Sequence, residues 1–264
     1  MSKKETITSL QDKKGRQKIV MITAYDALFA SLFSEYVDII LVGDSLNMSF
    51  NKEADTLSVT LDQMIYHTKA VCKGAPNSFI VCDMPFGSTN TKEEALTNAI
   101  KVFQQTGADA VKIEGGGSRA ELIKHLTNNA IAVMGHIGLL PQSVRSEGGY
   151  KVKGRDEKSF EQVIEDAKAV EAAGAFALVV EGVTPNLAAM VTQSVDIPVI
   201  GIGAGCATDG QVLVWSDMLG FFEDFKPKFV KRYLDGASLV KDAVKKYKEE
   251  VESGLFPSKE HCYE

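Results

Sequence analysis

Cysteine is scarce in this chain and widely spaced. Among 264 residues there are four cysteines, Cys72, Cys82, Cys206 and Cys262. None forms a CxxC pair, and none stands near paired histidines. This spacing excludes a zinc knot and a disulfide framework, so the thiols are predicted to be isolated, in core or surface positions.

The chain also lacks a basic excess and a long apolar run. Lys and Arg number 29 against 35 Asp and Glu, a formal net charge of −6, whereas a nucleic-acid groove needs a basic face. No segment reaches the length of a membrane span, and the charged start has no signal-peptide core. We therefore expect a cytoplasmic protein that binds small molecules, with neither nucleic acid nor a membrane as partner.

What the chain does contain is apolar, β-branched runs that alternate eight times with segments of helical periodicity. The runs are KIVMITAYD, IILVGDS, FIVCDMPF, AVKIEGGG, IAVMGHIG, FALVVEG, IPVIGIGAG and GQVLVWSD. This pattern predicts a parallel sheet covered by helices, and eight units in this length fit a (β/α)8 TIM barrel. An open doubly wound sheet is the alternative.

We expect a single α/β domain over residues 1–264, with a short polar N-terminal segment and a C-terminal helical extension. A chain of this length can bury roughly three quarters of its unfolded surface in one core. Two of the helical segments stop at Gly107 and Gly174, which are predicted to be helix C-caps.

Three of the predicted strands end in an acidic residue: Asp44, Asp83 and Glu114. Because ligands of parallel sheets lie at the carboxyl ends of the strands, these side chains are expected to converge. Their mutual repulsion should raise all three pKa values unless a cation neutralises them. Carboxylate oxygens suit a hard divalent ion, so the pattern predicts a Mg²⁺ site. Asp44 or Asp83 taken alone would be better explained as a helix N-cap.

The fourth run brings a lysine next to these acids. Since side chains alternate along a strand, Lys112 and Glu114 share the inward face while Val111 and Ile113 face the helices. The two charges could form a simple internal ion pair, but burying both seldom stabilises a protein unless they serve another role. We therefore predict a functional role for Lys112.

Two further polar residues end the next strands. His136 in MGHIGL is typical either of a hydrogen-bonded core or rim histidine or of a catalytic one. Glu181 follows Leu178, Val179 and Val180, and apolar surroundings favour the proton-accepting behaviour that a general base needs. A fourth acid in the metal site is the alternative for Glu181.

Two glycine-containing segments remain. The GIGAG sequence in the seventh run could hold phosphate, but it lacks GxGxxG spacing and a Walker lysine, which favours a tight strand-to-helix turn. The long connection 141–159, PQSVRSEGGYKVKGRDEKS, has no periodicity. It is interpreted either as a lid over an anionic ligand or as a solvated loop.

Several motifs together resemble one enzyme family. They are TAYD, VGDSL, CDMPF, VKIEGG, GHIGLLPQS, GGYKVKGR, the GIGAG segment and EVESGLFPSKEH. From about Ile7 to His261 the chain resembles the 3-methyl-2-oxobutanoate hydroxymethyltransferases, also called ketopantoate hydroxymethyltransferases. The resemblance implies a Mg²⁺-binding barrel that transfers a hydroxymethyl group from 5,10-methylenetetrahydrofolate to 3-methyl-2-oxobutanoate. The product is 2-dehydropantoate, made in the first step of pantothenate biosynthesis.

The resemblance also implies roles for particular residues. Asp44, Asp83 and Glu114 would bind the metal, and Glu181 would accept the C3 proton of the keto acid, which becomes an enolate. The keto acid would lie against Asp44, Ser45, Asp83 and Lys112, with His136 added to this set. Two positions depart from the family pattern, since Asn47 stands where Gly is usual and Gly182 stands where Cys is common.

The family is usually a homodecamer, and the apolar Leu255 and Phe256 near the C-terminus also favour an oligomer. Two other functions remain open from the residues alone. One is a Mg²⁺-dependent lyase acting on 2-oxo acids without folate. The other is a non-catalytic barrel that binds anions through GIGAG.

Overall fold

The computed structural model describes residues 4–223 and 226–263. Their contacts divide into two compact units, Met1–Val214 and Trp215–Glu264. None of the described helices is both long and apolar enough to cross a membrane. The described cysteines are free thiols, with Cys82 buried and Cys206 and Cys262 exposed, which confirms the prediction of isolated thiols.

The first unit contains eight parallel strands that close into a barrel. They pair in chain order, and β1 closes the circle by pairing with β8. This confirms the predicted (β/α)8 barrel and rejects the open sheet. The strands are β1 Ile19–Thr23, β2 Ile39–Val42, β3 Phe79–Asp83, β4 Ala110–Glu114, β5 Val133–Gly138, β6 Ala177–Glu181, β7 Val199–Ile202 and β8 Gly210–Leu213.

The helices of the first unit are α1 Ile7–Asp12, α2 Ala27–Phe33, α3 Leu46–Asn51, α4 Leu61–Gly74, α5 Lys92–Gln105, α6 Ala120–Asn128, α7 Glu157–Ala172 and α8 Pro185–Ser194. Three of the longest begin at a side-chain cap. Thr60, Thr91 and Asp156 each accept a hydrogen bond from the backbone N–H three residues further on. Such caps satisfy donors that a helix start leaves free.

The two predicted C-cap glycines differ. Gly174 follows α7 with φ of +91°, and its N–H donates to the Glu171 carbonyl at 2.8 Å, as predicted. The prediction for Gly107 is wrong, because α5 ends in an extended Thr106 and needs no left-handed residue. A Cβ on Gly107 would lie 3.4 Å from the Cys72 Cβ, an ordinary van der Waals contact, so nothing in the surrounding packing requires glycine here.

The barrel interior is apolar below the carboxyl ends of its strands, toward their N-terminal ends. Alternate strand residues form one buried cluster, to which Leu10 of α1 belongs as well. Within it, Phe79 and Phe176 meet edge to face with ring centroids 5.6 Å apart. The strand members are Ile19, Met21, Ile39, Leu41, Phe79, Val81, Ala110, Met134, Ala177, Val179, Ile200, Ile202 and Val212.

The second unit contains α9 Trp215–Met218 and α10 Gly236–Glu252. Helix α10 exposes several apolar side chains, and Leu255 just after it is 70% exposed. Phe256 packs inside the unit, with its ring 5.5 Å from that of Tyr247 and 5.0 Å from that of His261. The exposed side chains of α10 are Leu239, Val240, Val244, Tyr247 and Val251.

Candidate active site

On the inward face, polar side chains replace apolar ones toward the carboxyl ends of four neighbouring strands. Asp83 lies two residues after the core residue Val81, Lys112 two after Ala110, His136 two after Met134, and Glu181 two after Val179. Because the side-chain period of a strand is two, each polar group points the same way as the apolar residue before it. The barrel therefore changes from an apolar filling to a polar, ionisable layer at its C-terminal end.

Asp44 and Ser45 join this layer from the turn after β2. The Asp44 backbone N–H donates to Asp83 Oδ2 at 3.0 Å, which ties the turn to β3. Ser45 Oγ lies 2.8 Å from the hydroxyl oxygen of Tyr25. Asp44, Asp83 and Tyr25 are all buried. Tyr25 belongs to the TAYD motif but was not predicted as a site residue, since an aromatic side chain after a strand most often belongs to the core.

Lys112 is the buried cation of the cluster. Its Nζ lies 3.0 Å from Asp83 Oδ1 and 3.1 Å from His136 Nδ1, and its side chain is 5% exposed. The carboxylate that Lys112 pairs with is thus on the neighbouring strand. Burial alone would lower the pKa of Lys112, but the charges of Asp83, Glu114 and Asp44 raise it, so the ammonium stays charged.

The three carboxylates differ in their acidity. Burial, followed by the charges of Asp83 and Glu114, raises the pKa of Asp44 well above its usual range. Burial also raises the pKa of Asp83, against the opposing charge of Lys112. Burial opposes ionisation of Glu114 too, but His136 and Lys112 hold the pKa of Glu114 below its usual value. The prediction that repulsion raises all three pKa values is therefore wrong for Glu114.

His136 lies between the acidic cluster and Glu181. Its Nδ1 is 3.5 Å from Glu114 Oε1, and its Nε2 is 3.1 Å from Glu181 Oε2. Burial and Lys112 lower the pKa of His136, but the carboxylates of Glu114 and Glu181 raise it overall. The contact with Glu181 is too poorly aligned for a hydrogen bond, so Nε2 has no such partner among the described residues. One histidine therefore connects the cluster with the predicted base.

Gln142 also reaches the cluster, although the sequence did not identify it. Its backbone N–H donates to Glu114 Oε2 at 3.0 Å, and its Nε2 donates to Asp44 Oδ2 at 2.8 Å. Gln142 lies in the segment 141–159.

The glycine-rich turn after β7 is tight, since a Cβ on Gly205 would lie 2.9 Å from the Pro185 Cβ. This geometry supports the turn interpretation of GIGAG.

The chemistry of the donors fits a divalent cation. Asp44, Asp83 and Glu114 offer only carboxylate oxygens, the ligands that Mg²⁺ prefers. Asp83 Oδ1 is buried and receives no well-directed hydrogen bond from the described residues, although Lys112 is near. Among the described residues no three acidic, histidine or cysteine side chains converge as a finished metal site. The three carboxylates are instead in contact with Lys112, Gln142 and His136.

Comparison with known proteins identifies the family. The family model described as ketopantoate hydroxymethyltransferase matches residues 4–259. The chain belongs to this family. A 3-methyl-2-oxobutanoate hydroxymethyltransferase of Aliarcobacter butzleri is 64% identical over 98% of this chain and 97% of its own length. Another, of Sulfurimonas denitrificans, is 64% identical over the full length of both chains.

The family assignment confirms the prediction of a hydroxymethyltransferase, an enzyme of pantothenate synthesis, over the lyase and the non-catalytic barrel.

Solved structures share the fold at low identity. A 2,3-dimethylmalate lyase of the PEP mutase/isocitrate lyase superfamily has a TM-score of 0.60 at 17% identity, covering 97% of this chain and 91% of its own. A phosphonopyruvate hydrolase solved with oxalate and Mg²⁺ has a TM-score of 0.63 at 11% identity, covering 97% and 92%.

Asn47, at a position where the family resemblance leads one to expect glycine, has a clear structural use. Its side chain is buried, and its Nδ2 donates to the Asp55 carbonyl and to Ser58 Oγ, both at 2.9 Å. Asp55 Oδ2 in turn accepts a hydrogen bond from Arg145 Nε at 3.0 Å and forms an ion pair with Arg145 Nη2 at 2.9 Å. Asn47 therefore holds the loop between α3 and α4, which carries the contact to segment 141–159.

We expect Asn47→Gly to lower the free energy of unfolding by about 2–3 kcal/mol. Two donated hydrogen bonds from a buried amide are lost, at roughly 1 kcal/mol each, and glycine inside α3 costs about another 1 kcal/mol. Urea unfolding of wild type, Asn47→Ala and Asn47→Gly separates the two contributions. A wild-type stability for both variants would show that these hydrogen bonds do not hold the loop.

Proposed function

We propose that the chain transfers a hydroxymethyl group from 5,10-methylenetetrahydrofolate to 3-methyl-2-oxobutanoate through an enolate of the keto acid, supported by Mg²⁺. The observation that carries the proposal is the arrangement around His136. This side chain has the acidic cluster and Lys112 on one side and Glu181 on the other, with contacts of 3.1 to 3.5 Å. A site for an anionic, metal-chelating substrate therefore adjoins a carboxylate able to accept a proton.

Asp44, Asp83 and Glu114 are proposed to hold the metal, because they supply oxygen ligands and a surplus of negative charge. When bound, Mg²⁺ would supply Lewis-acid charge to the keto and carboxylate oxygens of the substrate. The keto acid is proposed to lie against Asp44, Ser45, Asp83, Lys112 and His136. Lys112 would then place a positive charge, and Ser45 a hydroxyl group, next to the oxygens of the keto acid.

Glu181 is proposed to remove the C3 proton of the keto acid. If Lys112 donates to His136 Nδ1, which is 3.1 Å away, the neutral imidazole carries its proton on Nε2. Nε2 lies 3.1 Å from Glu181 Oε2, so this proton would be close to the base, although the two groups are not aligned for a hydrogen bond. Lys112 would also stabilise negative charge that develops on the keto oxygen, in a site from which water is largely excluded. The resulting carbon nucleophile would form a bond to the one-carbon unit of the folate. Both C–N bonds of that carbon would break, water would supply the hydroxyl oxygen of the new hydroxymethyl group, and tetrahydrofolate would leave.

An assay with and without methylenetetrahydrofolate tests the proposed reaction. We expect 2-dehydropantoate only when both the folate and the keto acid are present. A lyase would instead consume a 2-oxo acid at the same rate without folate, and that outcome would overturn the proposal.

The metal assignment predicts that Asp83→Asn weakens Mg²⁺ binding by more than about 100-fold, the upper end of what losing a supporting partner of a metal ligand costs. The amide keeps the size of the side chain but removes a charged ligand. Isothermal titration calorimetry with MgCl₂ measures the effect. Asp62→Asn, at a carboxylate that is 79% exposed in an ion pair with Lys101, is the control and should bind as wild type does. Equal affinity for Asp83→Asn and wild type would show that the metal site is elsewhere.

The cytoplasmic location, the single-domain organisation over residues 1–264 and the homodecamer belong to the same proposal. The apolar residues exposed on α10 support assembly, because large apolar side chains in solvent commonly mark an interface. A monomer in sedimentation equilibrium at micromolar concentration would contradict the decamer.

The segment 141–159 contacts the acidic cluster through Gln142, which supports the lid interpretation over that of a freely solvated loop.

A further inference from the structure

Gln142 contacts residues at the carboxyl ends of three different strands. It lies in the short helical turn Pro141–Ser143, which comes after β5. Its backbone N–H donates to Glu114 Oε2 at 3.0 Å, at the end of β4. Its side-chain Nε2 donates to Asp44 Oδ2 at 2.8 Å, after β2, and to the Met84 carbonyl at 3.0 Å, after β3. One residue therefore connects two of the three carboxylates.

A carboxamide is suited to this position for a chemical reason. Its NH₂ group offers two donors, and here one points to a carboxylate and the other to a backbone carbonyl. A glutamate would present an acceptor to Asp44, and an apolar side chain would leave Asp44 Oδ2 without this hydrogen bond.

Segment 141–159, which contains Gln142, is also attached close to Glu181, the proposed base. The Lys153 N–H donates to the Gly182 carbonyl at 2.9 Å, and the Thr184 N–H donates to the Lys153 carbonyl at 3.2 Å. Gly182 and Thr184 come one and three residues after Glu181 in the chain. Segment 141–159 is therefore fixed to the acidic cluster at one end and to the residues after β6 at the other.

We propose that Gln142 is a positioning residue, which holds Asp44 and Glu114 in place for the divalent cation and attaches segment 141–159 to them. This inference rests on the proposed function, because it assumes that the carboxylates bind a metal. Gln142 acts through the carboxylates and does not itself react. Its loss should therefore weaken metal binding and loosen the segment, whereas the chemical step should recover once the metal saturates the site.

The test compares Gln142→Met with wild type. Methionine keeps the length of the side chain but has no donor. Ser146→Ala is the matched control, since it removes only an exposed hydrogen bond within the same segment, from Ser146 Oγ to the Ser143 carbonyl at 2.9 Å. Calorimetry with MgCl₂ alone should show about 10- to 100-fold weaker binding for Gln142→Met, the usual effect of losing a partner that orients a metal ligand. The control should bind as wild type does.

Two further measurements separate positioning from other roles. Trypsin should cleave metal-free Gln142→Met faster than wild type at Lys151 or Arg155, because the segment has lost an attachment. At saturating Mg²⁺ the variant should regain wild-type kcat, which a residue that contacts the reacting atoms would not allow. Gln142→Asn, whose amide is one methylene shorter, should weaken Mg²⁺ binding similarly and serves if the methionine variant does not fold.

The outcomes distinguish this inference from the proposed function. Wild-type Mg²⁺ affinity and wild-type proteolysis in both Gln142 variants would overturn the positioning role and leave the proposed function standing. A wild-type protein that binds no Mg²⁺ would overturn the proposed metal site, and the role of Gln142 with it. A kcat that stays low at saturating Mg²⁺ would also contradict positioning.

Discussion

Glu181→Gln is expected to slow the exchange of the C3 proton of 3-methyl-2-oxobutanoate with solvent deuterium by about 10²- to 10⁴-fold, the usual contribution of a positioned general base. The amide keeps the size of the side chain but cannot accept the proton. Mg²⁺ affinity should barely change, because Glu181 lies beyond His136 from the acidic cluster. Proton NMR in deuterated buffer without folate measures the exchange.

Glu161→Gln, an exposed position on α7, is the control and should exchange at the wild-type rate. Exchange at that rate by Glu181→Gln itself would assign the base to another group, with His136 as the nearest candidate. A large loss of Mg²⁺ affinity in Glu181→Gln would instead make Glu181 a metal ligand, which is the alternative that the sequence left open.

Lys112→Met is expected to lower the free energy of unfolding by about 3–5 kcal/mol near neutral pH in the absence of metal. Methionine fills a similar volume, but the buried carboxylates then lack the charge that Nζ places 3.0 Å from Asp83 Oδ1. The matched control is Lys101→Met. Lys101 forms an ion pair with Asp62 at 2.6 Å, with side-chain exposures of 40% and 79%, and such pairs contribute about 0–1 kcal/mol.

The stability defect of Lys112→Met should depend on pH with a definite sign. Burial already raises the pKa values of Asp44 and Asp83 in the folded protein, and Lys112 opposes this rise. Its removal raises them further, so the folded state binds more protons than the unfolded state over the range above the usual pKa of aspartate. Stability then falls as pH rises through the folded pKa values, and the defect shrinks as pH is lowered. Urea unfolding at neutral and mildly acidic pH measures this stability defect. An equally small loss of unfolding free energy in Lys112→Met and Lys101→Met would contradict a buried charge cluster.

Much of the fold followed from the sequence because periodicity decides it. Each of the eight apolar runs became a strand, and the closed order of pairing follows from eight alternating units. The acidic residues and Lys112 could be placed at one end of the barrel, because parallel strands all end on the same side. The period of two also indicates that His136 faces inward, in line with Met134.

The remaining features depend on tertiary contacts that no local pattern encodes. Gln142 reaches Asp44 across 98 positions of the chain, and only the path of segment 141–159 brings the two together. The pKa of Glu114 is lowered by its neighbours His136 and Lys112 and by the hydrogen bond from the Gln142 N–H, so repulsion alone gave the wrong direction. Gly107 was misassigned because a glycine soon after a helix need not be its cap, and α5 ends in the extended Thr106.

The central claim is that the cluster and Glu181 form the carbon nucleophile before the one-carbon donor is involved. Its most direct test is proton NMR of 3-methyl-2-oxobutanoate with the wild-type enzyme in deuterated buffer, with Mg²⁺ or with EDTA, and without folate. We expect the C3 proton to exchange with Mg²⁺ and not with EDTA, and 2-dehydropantoate to form once methylenetetrahydrofolate is added. Exchange that is equally fast with EDTA, or that begins only after the folate is added, would contradict the account.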